Sequence, residues 1–360
     1  MKKIFVLGLL VVLMVFSLAS CAGNGDTTAT PTPPGADDNR PVFAYATMSM
    51  SNQWMQNIHR ALVTMGEQKG FDVVFTDADF NPEAQLTQLG QLITQGVDGV
   101  ALFVVDEGIG PAAVQMLNDA DVPVVGETLR LLDSSGNFIA PFVELDGYRV
   151  GTLAAEWVLE NMDELGLDPN DFASTGFMQV TNTIFINNSF RVDGFKDTFF
   201  GAHPGFPESN RFISDVAADA VAVDETESAF NQTSAVLAAN PQITQWLLFG
   251  AVDAYAHGAI RAIEAAGLAN NTIMVSTGGE RAIPEWQGAT PSPAWKATVY
   301  FNALDFAAPI SDALLQLHAG TSAEDIFPND RDPGQDFGVI RISGRVVTPE
   351  TYAQYWVEGY

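Results

Sequence analysis

The sequence predicts an α/β fold of two doubly wound parallel-sheet domains joined by a three-segment hinge. Three observations predict the two sheets. Short apolar runs alternate with stretches of helical periodicity from Pro41 onward. Gly99 to Val105 is a nearly unbroken apolar run, the pattern of a parallel strand covered on both faces. The same alternation restarts near residue 150, as though the first half were repeated.

In chain order, Val42 to Thr47 reads as a strand, about Gln53 to Gln68 as a helix and Phe71 to Thr76 as a second strand. Asn81 caps a helix with Pro82 at its first position and Leu86, Leu89, Leu92 and Ile93 along one face. After the Gly99 run come a helix over about Pro111 to Ala120 and a strand over Val122 to Val125. In the second half Gly151 to Met162, Phe190 to Phe200 and Asn231 to Ala239 are helical, with a strand at Gly176 to Val180. Strands at Trp246 to Phe249 and Thr272 to Ser276 flank the helix Ala254 to Ala266. Last come the strand Lys296 to Tyr300, the helix Phe306 to His318 and the strand Gly338 to Ile342. Connections of this kind are right-handed crossovers, and ligands of such sheets sit beyond the carboxyl ends of the strands. That rule singles out Ser49 to Trp54, Asp106, Glu127, Thr181 to Asn188, Gly250 to Asp253 and Gly278 to Arg281.

The first residues read differently. Lys2 and Lys3 precede the apolar run Ile4 to Phe16, too short to span a bilayer but long enough for a secretory signal. Leu18-Ala19-Ser20-Cys21 closes it, so residues 1–20 read as a lipoprotein signal with the thiol of Cys21 as the lipidation site; the alternative is an ordinary secretory signal with an incidental cysteine. Residues 21–40, with Thr30-Pro31-Thr32-Pro33-Pro34-Gly35, read as a flexible tether. The protein is therefore expected outside the cytoplasmic membrane and held to it by lipid, and no later stretch is apolar enough to cross. With 44 acidic against 16 basic residues and a net charge of -28, nucleic acid is not an expected partner. Cys21 is the only cysteine, so no disulfide and no Cys-based metal site is expected in the folded body.

Catalytic patterns fail in turn. Gly108-Ile109-Gly110 with Glu127 19 residues after Gly108 superficially fits a dinucleotide fingerprint. Pro111, however, removes an N–H from the helix terminus that would hold a pyrophosphate, so the segment reads as a tight turn with Pro at a helix start and no cofactor is expected. His59, His203, His257 and His318 are too far apart in sequence for a zinc pair. Asp168, Asn170 and Asp171 read as a turn and cap rather than a calcium loop. There is no Gly-x-Ser-x-Gly elbow.

One long segment carries a resemblance. Trp246-Leu247-Leu248-Phe249-Gly250-Ala251-Val252-Asp253, continuing through the helix to Gly267, resembles the strand–Asp–helix unit of the type 1 periplasmic solute-binding proteins that serve sugar ABC importers. Asn187 to Phe195, with Arg191 and Gly194, resembles that family's "R..G" helix start, and Val143 to Gly151 its first interdomain crossover. Gln53-Trp54-Met55-Gln56 resembles the ligand-facing start of its first helix, and Gly338 to Trp356 its closing strand and helix. The resemblance runs over nearly all of Val42 to Trp356 and implies no enzymatic activity. It implies capture of a small carbohydrate, with an ABC permease and the membrane as partners and a monomeric state. It makes Arg191 the guanidinium on the sugar, Trp54 the ring stacked on its apolar face and Glu127 an acceptor for hydroxyls. Asn52, Gln53, Asn187, Asp253, Glu280 and Asn302 complete the implied site; two of its polar positions fall at Val252 and Gly279, and a register slip of one residue puts Asp253 and Glu280 there instead. Sugar chemistry favours such a set, because a pyranose offers one apolar face and a rim of hydroxyls. Trp54 also reads as an ordinary aromatic at a helix start, and Arg191 as a surface arginine near a cap.

The expected lobes are residues 41–145 with 303–334, and 146–302 with 335–360, crossing near Leu145, Asn302 and Gln335. The rival readings are a secreted carbohydrate-active enzyme and a sensory receptor for a sugar, nucleoside or autoinducer.

Overall fold

The computed structural model describes residues 40–219 and 224–360; the signal segment, Cys21 and the tether up to residue 39 lie outside the described residues. The first sheet is built from β1 (Val42–Thr47), β2 (Asp72–Asp77), β3 (Gly99–Leu102), β4 (Val124–Thr128) and β5 (Phe142–Leu145), with α1 (Gln53–Lys69), α2 (Pro82–Gln95) and α3 (Gly110–Asp119) between them. The second part continues with α4 (Gly147–Glu160), α5 (Met162–Leu165), β6 (Thr175–Thr181), α6 (Ile186–Ala202), β7 (Arg211–Asp215) and α7 (Glu225–Ala239). It then runs through β8 (Gln245–Gly250), α8 (Asp253–Ala265), β9 (Thr272–Gly278), α9 (Ala282–Gln287) and β10 (Trp295–Tyr300). α10 (Ala303–His318), β11 (Val339–Ile342) and β12 (Arg345–Val347) follow.

The strands form two six-stranded sheets, in the orders β2-β1-β3-β4-β5-β11 and β7-β6-β8-β9-β10-β12. Every pairing is parallel except β10 with β12. Central strands are buried along their whole length, as two-sided helix cover requires: β3, β6 and β9 have no exposed residue. The strand order reverses at β1 and at β6, so the crevices beyond their carboxyl ends are the natural ligand positions. Local chemistry sets the helix ends. The Asn81 side chain accepts from the amides of Glu83 and Ala84 at 3.0 and 3.1 Å, ahead of Pro82 in the first turn of α2. The Gly108 segment is a 3-10 turn capped by Asp106, followed by a helix with Pro111 in its first turn.

Two expectations are corrected. The third crossing does not fall near Gln335. Gln335 still belongs to the first lobe, its side-chain oxygen accepting from Phe138 N at 2.7 Å. β11 then pairs in parallel with β5, from Val339 opposite Phe142 to Ile342 opposite Leu145. The chain changes sheets only at Ser343-Gly344, where Gly344 takes φ +71 against the Tyr300 carbonyl. The expected closing helix is replaced by a 3-10 turn, Tyr352–Gln354, the one helical element among the described residues after β12.

α4 and α6 pack closely, and two glycines permit it. A side chain on Gly151 would strike the Arg191 carbonyl, and one on Gly194 would strike the carbonyl of Tyr148. This explains the spacing of Arg191 and Gly194: the helix that carries the arginine must lie directly on the α4 backbone. Gly194→Val is expected to cost about 1–3 kcal/mol of stability by forcing the helices apart, read as a lowered midpoint in chemical denaturation.

Candidate functional site

The first lobe contributes the start of α1. The Asn52 side chain accepts from Trp54 N at 2.8 Å, which fixes the first turn and aims the indole. Trp54 is half-buried, edge-on to Phe301 (5.2 Å between ring centres, 85°) and to Phe306 (5.1 Å, 80°). Gln53 donates to Asn57 at 3.0 Å. Glu127, at the end of β4, is fully buried; Tyr45 Oη donates to it at 3.2 Å and the Thr128 hydroxyl also donates. Burial pushes the Glu127 carboxyl up to about 7, although hydrogen bonds from Thr128, Tyr45 and Trp54 oppose the rise. Thr128 itself has φ +59, an unfavourable conformation for a β-branched residue, beside this carboxyl.

The second lobe contributes α6 and the ends of β8 and β9. Arg191 is only 8% exposed. Its Nη1 donates to the Ala251 carbonyl at 2.6 Å and to Thr277 Oγ1 at 2.9 Å, while the buried Nε has no partner. The guanidinium lies 5.8 Å from the centre of the Phe301 ring. Burial lowers its pKa to about 10, with Glu280, Tyr255 and Asp253 pulling it back up. One turn earlier, Asn188 donates to Tyr255 Oη at 3.3 Å, and that hydroxyl donates to Glu225 at 3.1 Å. The sequence reading selected Asn187, which is half-buried, whereas its neighbour Asn188 is the one in the buried network. Helical phase was the available signal: Asn188 stands three residues before Arg191 and shares its face.

Asp253 has a different role from the one expected. It is 0% exposed and accepts five hydrogen bonds from the protein itself. Ser276 Oγ (2.5 Å) and Thr298 Oγ1 (3.1 Å) meet one oxygen; the amides of Gly279 (2.8 Å), Arg281 (3.1 Å) and Ala282 (2.9 Å) meet the other. A carboxylate has about four lone-pair sites, so little capacity remains for a sugar hydroxyl. Glu280 sits in the loop that Asp253 holds, half-buried, its carboxyl folded over Gly278. Burial and the nearby Asp253 charge push the Glu280 carboxyl up, against the pull of Arg191 and Arg281.

A cavity of about 120 Å³ lies between the lobes, walled by Gln53, Trp54 and Asn57 on one side and by Glu280, Tyr300 and Phe301 on the other. Of the expected residues, Gln53, Trp54 and Glu280 therefore line one cavity. Glu127 and Arg191 are not in its wall; Arg191 lies beside Phe301, which is. Asn52 and Asn302 use their side-chain oxygens as helix caps, Asn302 accepting from Leu304 N at 2.8 Å. Among the described residues no cluster of three or more His, Cys, Asp or Glu side chains could hold a metal ion.

Two outcomes follow from these environments. Asp253→Ala is expected to lose about 3 kcal/mol or more, since several buried donors lose their acceptor at 1–3 kcal/mol each; thermal or chemical unfolding reads this. For Glu127 the folded state holds its proton more tightly than the unfolded chain, whose carboxyl titrates near the ordinary 4.5. Its contribution is thus full below about pH 4.5 and falls as pH rises to about 7. Glu127→Gln is expected to exceed the parent in stability at pH 8 by about 2–3 kcal/mol, the advantage vanishing near pH 4.5. Paired denaturation curves at the two pH values check it.

Comparisons with known proteins agree with this geometry. A family model for the periplasmic binding protein domain matches residues 43–322. An L-arabinose-binding periplasmic protein of an ABC transporter from Azospirillum brasilense is 24% identical over 243 residues, 66% of this chain and 70% of that protein. Two solved structures share the fold. One is an ABC transporter periplasmic solute-binding protein from Actinobacillus succinogenes 130z with bound D-allose (TM-score 0.67, 21% identity, 88% of this chain and 100% of that one). The other is an ABC transporter solute-binding protein from Bacillus halodurans C-125 with bound myo-inositol (TM-score 0.67, 19% identity, 89% of this chain and 99% of that one). With two doubly wound sheets, a cleft between them and a family match over most of its length, the chain belongs to the periplasmic binding protein family.

Proposed function

We propose that this protein is the extracytoplasmic solute-binding component of an ABC importer, capturing a small carbohydrate between its lobes and delivering it to the permease by hinge closure. The observation that carries the reading is the convergence on one cleft of an aromatic ring from the first lobe, Trp54, with Glu280 from the second, while the buried guanidinium of Arg191 lies beside the Phe301 wall. A ring for the apolar face of a sugar, with planar polar groups for its hydroxyls, is what that ligand class requires. The arabinose receptor of Azospirillum and the structures with allose and myo-inositol support a monosaccharide or a compound of like size and polarity. Pockets for small ligands occupy roughly 300–1,000 Å³. The cavity of about 120 Å³ lies below that range.

On this reading Cys21 carries the lipid, residues 21–40 are the tether between membrane and body, and the protein works as a monomer. The first lobe is residues 41–145 with 303–342, and the second is 146–302 with 343–360. Both lobes contribute to capture, so ligand binding favours the closed arrangement.

Calorimetry against pentoses, hexoses and cyclitols tests the proposal. Saturable binding of one sugar, recovered unchanged, is the expected result; turnover, or no binding across the panel, overturns it. Arg191→Ala is expected to weaken that sugar at least about tenfold, equivalent to about 1.4 kcal/mol, while circular dichroism still shows a folded chain.

A further inference from the structure

The segment after β12 is rooted in one lobe and anchored to the other. At its root, Tyr352 lies against Trp286 of α9 (5.9 Å) and against Trp356 (6.3 Å), and Val357 N donates to Tyr300 Oη at 3.4 Å. From there the chain reaches α1 of the first lobe. The Gly359 carbonyl accepts from Arg60 Nε at 2.9 Å, and the hydroxyls of Tyr360 and Thr64 are 2.6 Å apart. Gly359 turns the chain toward α1 at φ +89, with nothing within 4 Å of where a Cβ would stand, so its glycine answers to conformation rather than crowding. The half-buried ring of Tyr360 packs against the main apolar core. Trp356, Gly359 and Tyr360 also complete the wall of the interlobe cavity.

We propose that Trp356–Tyr360 is a strap across the cleft: it ties α1 to the second lobe in the closed arrangement and must let go at one end before the lobes separate. Three covalent crossings form the hinge, and the strap adds a noncovalent fourth link that, unlike them, can break. Hydrogen bonds fail once donor and acceptor separate beyond about 3.5 Å, so rotation between α1 and Tyr300 cannot leave both ends attached. The strap thereby sets how often the empty cleft opens and how quickly a captured ligand leaves. The cleft's role as a sugar site rests on the reading above; the tie between the lobes does not.

The test uses the full chain, a deletion of residues 358–360 and the point variant Tyr360→Ala. Small-angle X-ray scattering without ligand reads the tie directly. Both variants are expected to show a larger radius of gyration than the parent, the deletion more so. Scattering curves that superimpose on the parent's overturn the strap, whatever happens to binding. If the deletion fails to fold by circular dichroism, Tyr360→Ala alone decides on the same criterion. With a sugar identified by the panel, stopped-flow tryptophan fluorescence is expected to show release roughly tenfold faster in Tyr360→Ala, and an unchanged release rate overturns the kinetic role. If no sugar in the panel binds, the sugar reading falls and the scattering still decides the strap.

Discussion

The buried carboxylate of Asp253 is the fixed point of the cleft edge in the second lobe. Hydroxyls from β9 and β10 and the amides of Gly279, Arg281 and Ala282 converge on it, so two strands and the start of α9 are tied to one group. Removing a carboxylate from water is costly, and only a nearly complete set of donors offsets that cost. The loop is held in a shape that requires positive φ at Gly278 and Gly279, and that shape folds Glu280 back over Gly278. Two residues before Asp253, the Ala251 carbonyl accepts from both Arg191 and Thr277, so the guanidinium is positioned by the same strand end. The second lobe thus builds its polar surface as one connected network.

Arg191 depends on a further constraint from behind. Its helix rests on α4 at Gly151 and Gly194 with no room for a side chain. Packing on one side and the Ala251 carbonyl on the other leave the guanidinium few orientations. In the first lobe the corresponding support is aromatic packing. Trp54 is supported edge-on by two phenylalanines, one from β10's end and one from α10, so the hinge region itself forms the back of the aromatic platform.

Much of the architecture was legible because long helices and buried central strands leave strong periodicities. Apolar runs such as Gly99 to Val105 and Trp246 to Phe249 need no partner to be recognised. The strands that periodicity does not reveal include β5, β7 and β12. β7 is an edge strand whose Arg211, Ser214 and Asp215 do not alternate cleanly with apolar residues, and β12 is three residues long. The strand at Gly338 to Ile342 was visible, but a pattern of alternation does not say which sheet receives it; pairing with β5 depends on contacts from the rest of the fold. At the site, the rule about strand ends singled out Gly250 to Asp253 and Thr181 to Asn188. It could not show that Asp253 turns inward to its own loop, nor that Asn188 rather than Asn187 enters the network.

The pairing of β11 with β5 also governs how the molecule can be made. Glu144 on β5 and Arg341 on β11 are bonded at 2.7 Å across 197 residues of chain, and the Gln335 to Phe138 bond spans the same separation. Neither lobe is a contiguous stretch of sequence, so the first sheet keeps an open edge at β5 until residues near 340 arrive. An unpaired edge is a template for wrong partners, and closure over so long a loop carries an entropic cost that slows folding. The late strand therefore acts as a completion step for the first sheet.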